Sequence, residues 1–141
     1  MSNHNSLETL FHLVHALKQQ MHKQIEALNL TVTPMHVRAI TIIAEQTPCT
    51  ASDVAKFLNR DKAQITRLLS ALISENLILK AANEKDKRSQ CLLLTEQGEC
   101  LLKQVKEVEK NIFNKMSKDI SEEKLAEFQQ MTRLLTGNLM E

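Results

Sequence analysis

Lys62, Gln64, Thr66 and Arg67 lie close together in the chain and carry side chains that proteins use to read DNA. In the major groove, Gln can form two hydrogen bonds with adenine, and Arg can bind guanine or a phosphate. Apolar residues at helical spacing alternate with these four, which predicts a helix that buries one side and presents the polar side to solvent. We therefore expect this stretch to contact base edges of double-stranded DNA.

A second basic group, Lys85, Lys87 and Arg88, lies in a polar turn between two short apolar runs. Such a pattern predicts a β-hairpin with a charged tip, which can reach the neighbouring minor groove or its phosphates. Asp86 is acidic and unsuited to a phosphate, so we expect it to pair with Arg88 and orient it, although an exposed ion pair adds little stability. The predicted DNA-contacting residues are Ser52, Arg60, Lys62, Gln64, Thr66, Arg67, Lys85, Asp86, Lys87 and Arg88.

Apolar periodicity predicts the elements that position these groups. Phe57 and Leu58 are expected to pack against Ile65, Leu68 and Leu72, so that two helices form a helix-turn-helix followed at once by the hairpin, or wing. The predicted fold is mainly α, with about six helices and a two-stranded β wing. The helices are expected at about 6–28, 34–46, 51–58, 61–75, 95–116 and 121–136, and the strands at 77–80 and 89–94.

Length and composition fit one small domain. The chain has 141 residues, only two Gly and two Pro, which favours long helices over an all-β fold. The net charge is +1, but residues 50–95 hold eight basic and five acidic side chains, which is compatible with one DNA-facing module on a neutral body. With four Phe and no Tyr or Trp, the chain is a poor match to stacking platforms for single-stranded nucleic acid.

Cysteine use and the start of the chain predict a cytoplasmic, nucleoid-associated protein. The first residues are polar, unlike a signal peptide, and no apolar run is long enough to span a membrane. Cys49, Cys91 and Cys100 are an odd number without CxxC spacing, so no disulfide framework is expected. We expect Cys91 to be a small core residue and Cys49 to lie in the loop before the helix-turn-helix.

Three stretches, LTVTPMHVRAI, TASDVAKFLNRDKAQITRLLSALISENLI and NEKDKRSQCLLLTEQG, resemble the MarR family of bacterial transcriptional regulators. The most specific likenesses are the Thr66-Arg67 pair, the wing at residues 86–88 and the segment 94–98 that enters the next helix. Asn76 is a departure, because the family usually has Gly there. The resemblance implies a homodimer held by residues 1–30 and 95–141, with a DNA-binding lobe at 33–94.

The resemblance also implies a pseudo-palindromic operator, a role as a repressor and a cleft for a small-molecule effector. We assign His15, His36, Val37 and Ile40 to that cleft, and predict no metal and no cofactor. Two alternatives stay open: a thiol- or metal-responsive regulator of the same fold, and a winged-helix interaction protein that binds no DNA. An enzyme is not supported, since the sequence has no phosphate-binding Gly loop, nucleophile elbow or convincing catalytic carboxylate pair.

Overall fold

Side-chain caps set where the helices begin. A computed structural model describes residues 3–28 and 32–140 of the chain, with side chains from residue 6 onward. Thr50, Asp61, Thr95 and Ser121 each accept the backbone N–H of the residue three positions later, which satisfies a donor that the first helical turn leaves unpaired. These four helix starts were predicted from the sequence, and the structure confirms them.

The elements follow the predicted order, with one addition. Residues 1, 2, 29, 30 and 141 of the predicted dimerisation region lie outside the described residues. The elements are α1 (Asn3–Ala27), α2 (Pro34–Glu45), β1 (Cys49–Thr50), α3 (Ala51–Leu58), α4 (Lys62–Ser74), β2 (Ile78–Ala82), β3 (Gln90–Leu94), α5 (Glu96–Met116) and α6 (Glu122–Leu139).

The wing is part of a three-stranded antiparallel sheet rather than a free hairpin. The strand order is β1-β3-β2, and the short β1 pairs Cys49 with Leu92 and Thr50 with Cys91. The expectation that Cys49 lies in a loop was therefore wrong, because two residues are too few to show a strand period. Cys91 is buried, as predicted.

The core lies beneath the helix-turn-helix, where Val54 of α3 packs with Ile65, Leu69 and Leu72 of α4 and with residues of α2, the sheet and α5. The prediction that Phe57 packs these two helices together was wrong, since its side chain is 53% exposed. On the short α3, the inward direction is centred between Val54, Ala55 and Leu58, so Phe57 points well away from it.

The terminal helices leave apolar side chains uncovered. Helix α6 has no buried residue, and Phe128, Met131, Leu134 and Leu135 on one side of it are 47–59% exposed. The N-terminal part of α1 shows the same pattern in Leu7, Leu10 and Phe11, whereas Ile25 near its end joins the core. No helix within the described ranges is both long enough and apolar enough to cross a lipid bilayer.

Candidate nucleic-acid interface

Helix α4 presents a polar face that its apolar face holds in place. Lys62, Gln64, Thr66 and Arg67 are all exposed, while Ile65 between them is buried. Asp61 fixes the start of the helix, because its carboxylate accepts the Gln64 N–H at 2.9 Å. The anchored side therefore determines how the polar face is oriented.

Within this face, Thr66 uses its only hydroxyl proton internally. Its Oγ1 donates to the carbonyl oxygen of Lys62 at 2.8 Å, which leaves the oxygen able to accept a hydrogen bond and the methyl group able to make apolar contact. Gln64 and Arg67 carry longer side chains with several donors. The face thus offers donors, an acceptor and a methyl group, the chemistry needed to discriminate base edges.

Two further predicted residues flank α4 on the chain. Asn59 has a left-handed backbone, with φ of 52°, and ends α3, so that only Arg60 and Asp61 separate it from α4. Arg60 is exposed in this turn, and Ser52 is exposed in the first turn of α3. Both lie on the helix-turn-helix, Arg60 directly before α4 and Ser52 at the beginning of α3.

The tip of the wing is organised by side-chain to backbone hydrogen bonds. Asp86 Oδ1 accepts the Arg88 N–H at 3.0 Å and lies 3.8 Å from Arg88 Nε, while the Arg88 side chain is 97% exposed. Asn83 Oδ1 accepts the Lys85 N–H at 3.1 Å, and Asn83 Nδ2 donates to Ser89 Oγ at 3.0 Å. The contact between Asp86 and Arg88 that we expected is present, with a backbone bond that we did not anticipate.

Asn83 is a positioning residue that the sequence analysis did not single out. An Asn that closes a turn through its own side chain is a recognised pattern. That pattern was the available signal, since Asn83 opens the polar stretch between the strands.

A cavity of about 430 Å³ lies between the start of α2 and α4. His36 lines it, together with the apolar Met35, Ile65 and Leu68 and with three exposed residues of the predicted DNA-contacting set, Arg60, Gln64 and Arg67. The cavity is therefore adjacent to the polar face of α4.

The four residues assigned to an effector cleft are not brought together. Only His36 lines the cavity beside α4, whereas Val37 and Ile40 are core residues with 7% and 1% exposure. His15 is exposed on α1 and does not line the second cavity, of about 260 Å³, which lies between α1 and α5. The apolar spacing of α2 did not distinguish cleft residues from core residues.

His36 is held in a neutral form by its surroundings. Burial lowers the pKa of His36, and the nearby carboxylate of Glu75 raises it by a smaller amount. Its Nδ1 accepts the Thr33 N–H at 3.2 Å, which requires an unprotonated nitrogen.

The cysteines differ in exposure. Burial, with smaller contributions from Asp53 and Cys91, raises the pKa of Cys49 to about 11. Cys91 is also buried, and Cys100 on α5 is exposed. Across the described ranges, no three His, Cys, Asp or Glu side chains are grouped to hold a metal ion.

Comparison with known proteins finds similarity to one family of regulators. The model of the MarR family matches residues 32–90, which include the helix-turn-helix and most of the wing. The chain is also similar to the structure of a Staphylococcus aureus MepR–DNA complex, with 25% identity, a TM-score of 0.75, and coverage of 99% of this chain and 98% of that one. The chain is thus similar to the MarR family over residues 32–90, and its fold is similar to that of MarR-family structures over nearly its whole length.

Two further relatives agree with this similarity. The chain superposes on a MarR family protein from Bacillus stearothermophilus with a TM-score of 0.79 and full coverage of both chains. At 17% identity, this shows the shared fold. It is 36% identical over 75 residues to the HTH-type transcriptional regulator BilQ of Clostridioides difficile (strain CD3), which is 53% of this chain. The matched stretch spans about half (48%) of the length of BilQ.

The predicted family resemblance and the mainly α winged-helix fold are thus confirmed. BilQ is by name a transcriptional regulator, in agreement with the sequence analysis, which predicts a regulator and gives no support for an enzyme.

Proposed function

We propose that this chain is a MarR-family transcriptional regulator that binds double-stranded DNA in a sequence-specific manner. The observation that carries the proposal is the polar face of α4, where Lys62, Gln64 and Arg67 are exposed on a helix whose other side is buried. A helix presented in this way fits the major groove. The MepR structure in complex with DNA supports the same interpretation.

The wing supplies the second contact. Arg88 extends from a tip whose backbone is held by Asp86 and Asn83, so its guanidinium can enter the adjacent minor groove or bind a phosphate. A role for each of the ten predicted DNA-contacting residues is part of the proposal. Six of these residues are on or beside α3 and α4, the other four are at the tip of the wing, and all ten are exposed.

The regulator acts as a homodimer in this proposal. Residues 1–30 and 95–141 form the dimerisation region and residues 33–94 the DNA-binding lobe. Support comes from α6, which buries no side chain in one protomer and exposes Phe128, Met131 and Leu134 on one side. A two-fold dimer would place two α4 helices about one helical turn of DNA apart, on a pseudo-palindromic operator.

The proposed regulator represses transcription in the cytoplasm, at the nucleoid, and is released by a small molecule. The cavity of about 430 Å³ at His36 is within the size range of small-molecule sites. Because Gln64 and Arg67 line it, a molecule bound there would compete with or displace residues that contact DNA. A thiol-responsive mode would depend on Cys100, the one exposed thiol of the three.

The test begins with selection of bound sequences from random double-stranded DNA. Affinities for the selected site and for a scrambled site are then measured as a function of salt. We expect Arg88→Ala to weaken binding to both sites, and Gln64→Ala to change the preferred base. Lys118→Ala, which removes an exposed charge between α5 and α6, is the control and should bind like the parent.

The absence of salt-dependent binding at both the selected and the scrambled site would refute the proposal, because a protein that neutralises phosphates loses affinity for DNA as salt rises. In that case the non-DNA-binding interaction protein becomes the better interpretation of the same fold.

A further inference from the structure

Helix α4 is joined to α5 although the whole wing separates them in the chain. Asn76 closes the turn that follows the end of α4, and it has a left-handed backbone with φ of 60°. The Asn76 N–H bonds to the Ile73 carbonyl at 2.9 Å, and the Leu77 N–H bonds to the Leu72 carbonyl at 2.9 Å. Gly would close the helix equally well, so this turn does not explain why the chain has Asn.

The Asn76 side chain makes a contact that Gly could not make. Its Nδ2 donates to Oε1 of Gln97, in the first turn of α5, at 2.8 Å. The Asn76 carbonyl oxygen accepts the Thr95 hydroxyl at 2.7 Å, and the same hydroxyl oxygen accepts the Gly98 N–H at 3.0 Å. The residue that caps α5 is therefore also bonded to the end of α4.

Leu77 completes the connection through its backbone. Its carbonyl oxygen accepts the Thr95 N–H at 3.1 Å and packs against Gly98 so closely that a Cβ on Gly98 would overlap it. We call residues 76, 77, 95, 97 and 98 the α4–α5 clasp. It fixes the end of α4 to the beginning of α5 with side-chain, backbone and steric contacts.

The other end of α5 leads to the uncovered apolar surface. Phe113 and Met116 near the end of α5 are exposed, and Ile120 follows them. If α5 is part of the dimer interface, as proposed above, its direction determines where the α4 of each protomer lies relative to the two-fold axis. The angle between α4 and α5 then sets the separation of the two DNA-reading helices.

We propose that Asn76 and Gln97 are positioning residues that fix the angle between α4 and α5, and thereby the half-site spacing that the dimer accepts. This inference rests on the proposed function. It differs from a contact role, because neither residue is part of the polar face of α4. It differs from a merely stabilising role because it predicts a change in discrimination between spacings.

The test uses operators whose central spacer is shortened or lengthened by one or two base pairs. The parent should bind one spacing best. In Asn76→Gly and in Gln97→Ala, we expect the preference for that spacing over its neighbours to fall about threefold, as for the loss of one exposed hydrogen bond. The double variant should resemble either single variant, because both remove the same contact. Gln104→Ala, an exposed Gln further along α5, should leave the spacing profile unchanged.

A second measurement does not require DNA. A nitroxide is attached at Lys62→Cys, in a background with Cys100→Ser that removes the exposed native thiol. The label reports the distance between the two α4 helices of a dimer. We expect Asn76→Gly and Gln97→Ala to broaden the distribution of this distance and Gln104→Ala to leave it narrow.

The outcomes separate the two proposals. One outcome is a dimeric parent without DNA sequence preference, together with a broadened distance distribution in Asn76→Gly and Gln97→Ala. That result would refute the proposed function but would support the role of the α4–α5 clasp in fixing the angle between the two helices. An unchanged distance distribution, or affinities that fall by the same factor at every spacing, would overturn the inference.

Discussion

Thr33 and His36 cap helix α2 reciprocally. Thr33 Oγ1 accepts the His36 N–H at 3.2 Å, and His36 Nδ1 accepts the Thr33 N–H at 3.2 Å. This is a capping box in which His takes the place that Glu or Gln usually occupies. The consequence is a helix start that depends on the protonation state of one ring.

That dependence gives a pH prediction. Burial lowers the pKa of His36 below its usual 6.5, so the unfolded chain binds a proton that the folded chain does not. The contribution of His36 to the free energy of unfolding should be fully present above pH 6.5. It should be lost as the pH falls through the pKa that His36 has in the folded protein. The free energy of unfolding, measured in urea from pH 7.5 to about 5, should decrease over this window.

His36→Gln is the matched variant, because Gln can still accept the Thr33 N–H but does not titrate near neutral pH. We expect the variant to lose the His36 part of the pH dependence while it keeps its helix. An unchanged pH profile in His36→Gln would show that another group is responsible.

Position 98 requires glycine because there is no room for a side chain. A Cβ there would overlap the Leu77 carbonyl, which is backbone and held by its bond to Thr95, so Gly98→Ala should lower the free energy of unfolding by about 2 kcal/mol. Gly137 in α6 has nothing within 4 Å of its added Cβ, and Gly137→Ala should raise stability by about 0.5 to 1 kcal/mol. Urea unfolding measures both changes as shifts of the midpoint, provided that the slope m stays the same. If the two variants changed the free energy of unfolding equally, the close approach of the Leu77 carbonyl to Gly98 would be unimportant.

Helix α6 gives a prediction about assembly. Leu134 is 59% exposed among other apolar residues on one side of the helix, so a charge there would be desolvated in a dimer. We expect Leu134→Glu to be monomeric by light scattering at concentrations where the parent is a dimer. Gln129→Glu adds the same charge on the opposite side of α6 and should remain dimeric. A dimeric Leu134→Glu would place the interface elsewhere.

The backbone bond at the wing tip can be separated from the charge of Asp86. Asp86→Asn and Asp86→Ala remove the same negative charge, but only Asn keeps an oxygen that can accept the Arg88 N–H. Asp86→Ala should therefore bind DNA less tightly than Asp86→Asn, by about three- to tenfold, the effect of one hydrogen bond. Equal affinities would indicate that the order of the tip is unimportant for binding.

Thiol reactivity should follow burial. The thiolate is the reactive form, and the pKa of Cys49 is raised to about 11, while Cys91 is also buried. We expect a disulfide reagent at pH 8 to label Cys100 rapidly and the other two only after denaturation. In Cys100→Ser, rapid labelling should disappear. Fast reaction of Cys49 or Cys91 in the folded protein would argue for a thiol switch in the sheet.

Local signals in the sequence were sufficient for most of the fold. The caps at Thr50, Asp61 and Thr95 depend on contacts three residues apart, and α4 has a long apolar period, so both are visible in the chain. Strand β1 was missed because it forms by pairing with β3, where Cys49 lies opposite Leu92, a residue distant in the sequence. Phe57 was misplaced because hydrophobicity alone does not set the direction of a short helix.

In the candidate site too, the features set by local sequence could be predicted and those set by side-chain geometry or distant contacts could not. The exposure of Gln64 and Arg67 follows from the period of α4, so it could be predicted. The capping role of His36 and the bond from Asn76 to Gln97 depend on side-chain geometry, and the second joins residues 21 positions apart. The assignment of Val37 and Ile40 to a cleft was wrong, because the same apolar residue types line cavities and fill the core.

The uncovered side of α6 links folding to the amount of protein present. Helices in proteins gain most of their stability from packing of an apolar face, and α6 buries none of its side chains within a single copy. If a second copy supplies the cover, unfolding also separates two molecules, and the melting temperature rises with total concentration. Dilution would then act on this protein as a denaturant does, so a cell could tune the folded fraction through expression level alone.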